Sequence, residues 1–348
     1  MVAFRQRILF SIAALSLTIA TAAADSSESK SDSKQPTVKS EHPVKTLGGM
    51  QYWGDLVWHH GWRIQRHVKT GHHRLLDPKN YRYKSGTLKE CKLVLKQTSD
   101  EKKLGPMKGK AVILIHGILR SSKSFSKLSA KLNKEGFVVV GFDYPSAQVE
   151  LNDQVEYLHS VIKSLEGIEE INFVVHSMGG LLVRTYLMKH KDQRDKRLKR
   201  FVMMGVPNKG AEMADLLKSN PLFKAVFGPA GQQLVTDPKT LIGKLPTPDF
   251  EFGVIAGGRG NDKGFNPLIP GDDDGTVAVQ STRLPGATDF ILVSAMHSFL
   301  MWQADAMTAT VEYLKTGKFR ENEPARPISP DDESEKADSG AGDGRESD

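Results

Sequence analysis

The sequence predicts an α/β fold: a mainly parallel central sheet with helices on both faces and a small helical insertion. Three observations carry the prediction. From about residue 111 to residue 293, short continuous apolar runs rich in Val, Ile and Phe alternate with segments of helical periodicity. Strands buried on both faces read this way. The runs end in polar residues, and in such sheets ligands bind at the carboxyl ends of the strands. One run passes directly from strand into helix with a serine on the corner.

In chain order, residues 81–84 and 92–98 read as two short strands of an entry hairpin turned through Gly86. Residues 111–115 form a continuous apolar strand ending in His116-Gly117. Residues 122–136 read as a helix with Phe125, Leu128 and Leu132 inward. Residues 137–142 are a second strand, ending at Asp143-Tyr144-Pro145, and 148–165 a second helix. The run Ile171-Asn172-Phe173-Val174-Val175 enters His176-Ser177-Met178-Gly179-Gly180, and a helical pattern follows at once. Strands are expected again at 201–204, 250–256 and 289–293. Residues 211–248 carry apolar side chains at helical spacing (Met213, Leu217, Phe223, Phe227), either a lid over an apolar pocket or an ordinary cap.

The ends differ from the middle. Residues 1–24 hold Arg5 and Arg7, an apolar run and Ala22-Ala23-Ala24, the organisation of a cleaved signal peptide and hence of an exported protein. The alternative, an uncleaved anchor, needs a longer run undiluted by Ser and Thr. Residues 25–45 are mostly Ser, Lys, Glu, Asp and Pro and read as a disordered linker. Residues 319–348 read as a disordered acidic tail of net charge −6, leaving +13 on the other 318 residues. A basic body suits peripheral contact with an anionic envelope surface, or is simply a solvated face. The basic residues are not interleaved with aromatics as nucleic-acid binding asks. Cys91 is the single cysteine, which excludes an internal disulfide. It reads as a structural residue opening a strand.

Residues 46–80 hold Trp53, Trp58 and Trp62 and five of the eleven histidines. No zinc spacing completes a ligand set there, and no clean apolar face suits a membrane. The segment is expected to pack its aromatics over the main domain, residues 46–318.

Ser177 sits where a nucleophile elbow would place it. A sharp strand-to-helix corner projects the hydroxyl from the sheet edge, with helix N–H groups aimed at developing negative charge. A plain helix N-cap is the alternative. Nucleophilic attack needs a base, and His297, in the loop after the last strand, is placed to lean over the elbow. The imidazole in turn needs an acid, and Asp272, Asp273 and Asp274 lie between the two. Three consecutive aspartates do not by themselves converge on calcium.

Together, His116-Gly117-Ile118, the Ser177 elbow, Asp274-Gly275-Thr276-Val277 and His297 resemble the α/β-hydrolase superfamily, most nearly its bacterial serine esterases and lipases. The turn Gly205-Val206-Pro207-Asn208-Lys209-Gly210 is similar to a Gly-x-Pro-x-x-Gly turn of lipase-like members. The resemblance covers about residues 90–316. It implies the α/β-hydrolase fold and a triad of Ser177, Asp274 and His297, with Asp274 selected by its place three before Val277. It also implies an oxyanion hole from the backbone N–H groups of Ile118 and Met178, with His116, Gly117, His176 and Gly179 in support. No cofactor and no metal are implied. The expected substrate is a small-molecule or lipid ester cleaved through an acyl-serine. Acyl transfer, thioester cleavage, or a non-catalytic lipid-binding role on the same fold are the alternatives. Val175 departs from the usual Gly-x-Ser-x-Gly.

Overall fold

The computed structural model describes residues 43–46 and 50–330. The expected signal peptide, most of the linker and residues 331–348 lie outside the described residues. No helix among the described residues is long and apolar enough to cross a membrane.

Two sheets organise the chain. The first is antiparallel and contains β1 (Val44–Lys45), β2 (Trp53–His59), β3 (Trp62–His67), β4 (His73–Leu76) and β5 (Tyr81–Gly86), in the order β1-β5-β4-β3-β2. His60 and Gly61, both at positive φ, turn β2 into β3 with the hairpin geometry that matches strand twist. The segment expected only to drape aromatics is thus a sheet with its own core. Its alternation is masked because Asp55, Arg63, Gln65 and Arg74 are buried. Val44 and Lys45, expected to belong to the linker, pair with Arg82 and Tyr81.

The strand expected at 92–98 is instead part of α1 (Leu88–Glu101). Thr87 and Glu90 close a capping box at its start, and Cys91, Val94, Leu95 and Thr98 recur at helical spacing on the buried face. Cys91 therefore opens a helix and packs with Trp62, Ile64 and Leu75 of the sheet.

The second sheet follows the expected order of strands and helices. It runs β6 (Gly109–Ile115), α2 (Ser126–Lys134), β7 (Val138–Phe142), α3 (Leu151–Ser164), β8 (Ile168–His176), α4 (Met178–Lys189) and β9 (Leu198–Met204). After α5 (Glu212–Leu217) and α6 (Pro221–Gln232) come β10 (Glu251–Gly258), α7 (Val279–Thr282), β11 (Asp289–Ser294) and α8 (Ala304–Thr316). The strands lie in the order β11-β10-β9-β8-β6-β7, and every neighbouring pair is parallel. Alternate strand residues feed two cores. Ile113, Phe173 and Val175 face α3, α4 and the cap, while Val112, Leu114 and Val174 face α2 and α8. The chain leaves β6 for β7 on one side and returns to β8 on the other. The carboxyl ends of β6 and β8 therefore form the switch point where such sheets bind ligands.

Val175, fully buried, lies in register between Ile115 and Met203. The close approach of α4 is made at Gly179 and Gly180 instead. A β-carbon on Gly179 would lie 2.6 Å from the Ile115 carbonyl oxygen, and one on Gly180 would lie 2.4 Å from Cγ2 of Val206.

Residues 319–328, expected to belong to the tail, pack on the body. Phe319 and Ile328 are buried, and Arg320 pairs with Asp289 at 2.8 Å. Net acidity of the whole stretch hides these anchors.

The two sheets are joined by buried charge. The Asp55 N–H donates to the Asp143 carbonyl at 2.9 Å, and the Asp143 N–H donates to Asp55 Oδ2 at 2.7 Å. Arg63 reaches Asp143 at 2.6 Å and Asp55 at 3.6 Å. Burial raises the Asp55 carboxyl to about 6, against the opposing pull of Arg63. Two carboxyls brought this close depend on the guanidinium between them. Arg63→Ala is expected to cost about 3–5 kcal/mol, the usual price of stranding buried partners, read as a lowered urea midpoint with unchanged slope.

Candidate active site

Sequence places a serine between an apolar strand and an apolar helix, and the backbone there is strained. Ser177 has φ 55° and ψ −129°, a region that L-residues seldom occupy. Its N–H donates to the Met204 carbonyl at 2.9 Å, and its own carbonyl accepts from the Gly180 N–H at 3.0 Å. The corner is therefore tied to β9 and to the first turn of α4.

Gly117 passes directly against this corner. A β-carbon there would lie 3.0 Å from Cβ of Ser177 and 3.1 Å from Nδ1 of His176. Ile118 follows. Leu119, at φ 59°, donates its N–H to Ser146 Oγ at 3.0 Å, and Arg120 N–H closes a turn onto the Gly117 carbonyl at 3.2 Å. His116 holds the start of the loop. Its Nδ1 lies 2.8 Å from the Gly117 carbonyl, and its ring stacks on Tyr144, whose hydroxyl donates to the His116 carbonyl at 2.6 Å.

His297 arrives from the loop after β11. Its Nε2 lies 2.9 Å from Ser177 Oγ, and its Nδ1 lies 2.6 Å from Asp274 Oδ2. Its own N–H donates to the Asp274 carbonyl at 2.7 Å. Asp274 is fully buried, and its Oδ1 accepts from the N–H groups of Thr276 and Val277 at 3.0 and 2.8 Å. The neighbouring aspartates do other work. Asp272 accepts from the N–H groups of Arg259 and Gly260, both at 2.8 Å. Asp273 accepts from those of Gly275 and Asn266 at 2.6 and 3.0 Å. Among the described residues, no group of His, Cys, Asp and Glu side chains forms a metal site.

Ser177, His297 and Asp274 thus converge as expected, with Gly117 beside Ser177, Ile118 next in the loop and Met178 opening α4. Two residues already singled out, Gly205 and His176, take roles that the sequence did not specify. Gly205, at φ 55° after β9, leaves room for the relay: a β-carbon there would lie 3.3 Å from His297 Nδ1 and 3.4 Å from Asp274 Oδ2. His176 donates from Nε2 to the His297 carbonyl at 2.9 Å and so carries the loop that bears His297. No sequence spacing announces a contact across 121 residues.

The cap lies over this edge. Helix α6 breaks at Gly228, at φ 59° and ψ −160°, and passes Ile118 at Gly231, where a β-carbon would sit 3.7 Å from Cδ1 of Ile118. Phe223 and Phe227 stack at 4.6 Å. Met296, Phe299, Trp302 and Leu222 are large apolar side chains left exposed around the region. A cavity of about 570 Å³ beside Leu198, Phe250 and Thr288 opens at the amino ends of β9 and β10, the opposite edge of the sheet.

Residues 110–222 match the family profile described as alpha/beta hydrolase fold. With the parallel sheet and its helices, this decides the fold. The chain has the α/β-hydrolase fold. Solved structures similar to it include a lipase of Bacillus licheniformis in mature form, 18% identical, covering 62% of this chain and 94% of that one with a TM-score of 0.47. A phospholipase of Legionella pneumophila is 14% identical over 59% of this chain and 57% of its own, with a TM-score of 0.45. An esterase of Exiguobacterium antarcticum is 15% identical over 60% and 93%, with a TM-score of 0.41. No curated protein matches the chain.

Within this fold, burial keeps His116 and His176 below the usual imidazole range. His176 lies well below it, with His297 and Arg120 adding repulsion. A histidine held neutral by the fold binds fewer protons folded than unfolded. Its contribution to stability is complete above the unfolded value of about 6.5 and is lost as pH falls below it. The melting temperature is expected to fall with pH below about 6.5. His176→Gln, which keeps a neutral donor, should flatten that fall in a thermal-melt series across pH.

Proposed function

We propose that the protein hydrolyses carboxylic esters through an acyl-Ser177 intermediate. The observation that carries this is the continuous relay from Ser177 Oγ to His297 Nε2 at 2.9 Å and from His297 Nδ1 to Asp274 Oδ2 at 2.6 Å. Ser177 Oγ attacks the ester carbonyl carbon while His297 Nε2 takes its proton. Asp274 fixes the tautomer and stabilises the imidazolium. The carbonyl oxygen becomes an oxyanion facing the N–H groups of Met178 and Ile118. Collapse expels the alcohol, which takes the proton from His297. Water, deprotonated by His297, then attacks the acyl-serine, and the acid leaves.

The apolar cap and the exposed Met296, Phe299, Trp302 and Leu222 favour a hydrophobic acyl chain. The composition of residues 1–24 favours an exported enzyme.

Purified protein is expected to turn over p-nitrophenyl esters and to react with a fluorophosphonate probe, and Ser177→Ala should abolish both. Equal labelling of wild type and Ser177→Ala rejects the assignment. Asp274→Asn, which keeps the shape and reverses the tautomer, should lower kcat about 10⁴-fold with the fold intact by circular dichroism. An ester series of increasing chain length should show rising kcat/KM beyond the shortest acyl groups; a decline from acetate onward contradicts the apolar reading of the cap.

A further inference from the structure

A second polar site lies away from the triad, where the antiparallel sheet meets the main one. It is a cavity of about 100 Å³, with room for about three waters at their liquid volume. Lys45 of β1, Arg63 of β3, Arg74 of β4, Lys79 of the turn before β5, and Lys123 just past the Gly117 loop all line it. Asp143 is the one carboxylate in its wall. That carboxylate is already engaged, with Oδ2 on Arg63 at 2.6 Å and Oδ1 on the Ser122 N–H at 2.7 Å.

The cations are not balanced alike. Arg63 has two carboxylates, Asp55 and Asp143. Arg74, only 7% exposed, has none within ion-pair distance among the described residues. Its Nε donates to Gln65 Oε1 at 2.9 Å, and its guanidinium lies 4.0 Å from the Trp53 ring centroid. Burial, with Arg63 and Arg82 nearby, pushes its pKa down to about 10. Among the described residues Lys45, Lys79 and Lys123 also form no ion pair. A buried guanidinium without a counter-charge is costly. Asp55 and Asp143 offset it only from beyond ion-pair distance, and both are already engaged by Arg63.

We propose that this cavity binds a phosphate group, either free or as the terminal phosphate of a monoester. The chemistry selects it. A tetrahedral dianion offers enough acceptor oxygens to serve a guanidinium fork and several ammonium groups at once, which a monovalent carboxylate does not. The volume admits the group itself while a larger substituent stays outside. A soluble phosphate ester and a lipid headgroup ending in phosphate share this chemistry.

The test is equilibrium binding of inorganic phosphate to the purified protein at fixed ionic strength. One saturable site per chain is expected, weakened by sodium chloride. Arg74→Met and Lys79→Glu should each weaken it at least tenfold, the scale of one lost charge-assisted contact. Ser177→Ala should leave it unchanged, which separates this site from the triad. Lys79 is exposed, so its variant decides the matter if Arg74→Met does not fold. Competition by glycerol phosphate without co-sedimentation on vesicles identifies a soluble ester. Co-sedimentation on phosphatidylcholine vesicles carrying phosphatidic acid, lost in Lys79→Glu, identifies a lipid headgroup. Absence of saturable binding at millimolar phosphate overturns the proposal. Equal displacement by acetate, or unchanged affinity in both variants, does so too.

Discussion

An L-residue reaches the left-handed conformation of Ser177 at a cost of about 1–3 kcal/mol, and keeps it only where its surroundings over-determine it. Two strand ends and the first turn of α4 do so here. β9 accepts the Ser177 N–H through Met204, β6 brings Gly117 against the serine, and Gly179 lets the first turn of α4 press on the Ile115 and His116 carbonyls. Every other part of the site is placed relative to that corner. His297 comes from β11, three strands away. Its ring reaches the serine because Gly205 carries no side chain where β9 ends and Gly257 carries none near the end of β10. At Gly257 a β-carbon would lie 2.9 Å from Cβ of Asp274.

Three histidines meet around the elbow, and environment gives them different work. His116 and His176 are buried and kept neutral, so each has one N–H to give, and each gives it to a main-chain carbonyl. One fixes the loop bearing the Ile118 N–H, the other the loop bearing His297. His297 is left as the imidazole between a hydroxyl and a carboxyl group. The buried pair act as struts, and their neutrality spares the site two like charges beside any imidazolium that forms.

The central sheet and the triad were legible because their signals are local. Continuous apolar runs mark strands buried on both faces, and the residues that matter lie just past those runs. Asp274 was distinguishable from Asp272 and Asp273 only by its distance from Val277; in the fold that distance becomes the turn whose N–H groups hold its Oδ1. Residues 53–76 were read poorly for a physical reason. Asp55, Arg63, Gln65 and Arg74 point into the protein, so strand alternation is disguised as polar scatter. Their burial depends on partners far along the chain. The segment at 92–98 misled because alternation over seven residues resembles a helix face, and the Thr87–Glu90 capping box was the stronger signal. Val175 fits once the close approach of α4 is seen to fall at Gly179 and Gly180.

The bond from Asp143 to Asp55 spans 88 residues, and that span has a consequence for biosynthesis. The antiparallel sheet is the first described part of the chain to leave the ribosome. Its buried Arg63 and Asp55 have each other but lack Asp143 until β7 has emerged and its end has docked. Until then Gly54, whose missing β-carbon makes space for the Tyr157 ring of α3, faces water. The part made first is therefore among the last to be completed. A nascent chain halted before residue 143 would present a sheet whose Arg63 has only Asp55 and not the shorter bond to Asp143.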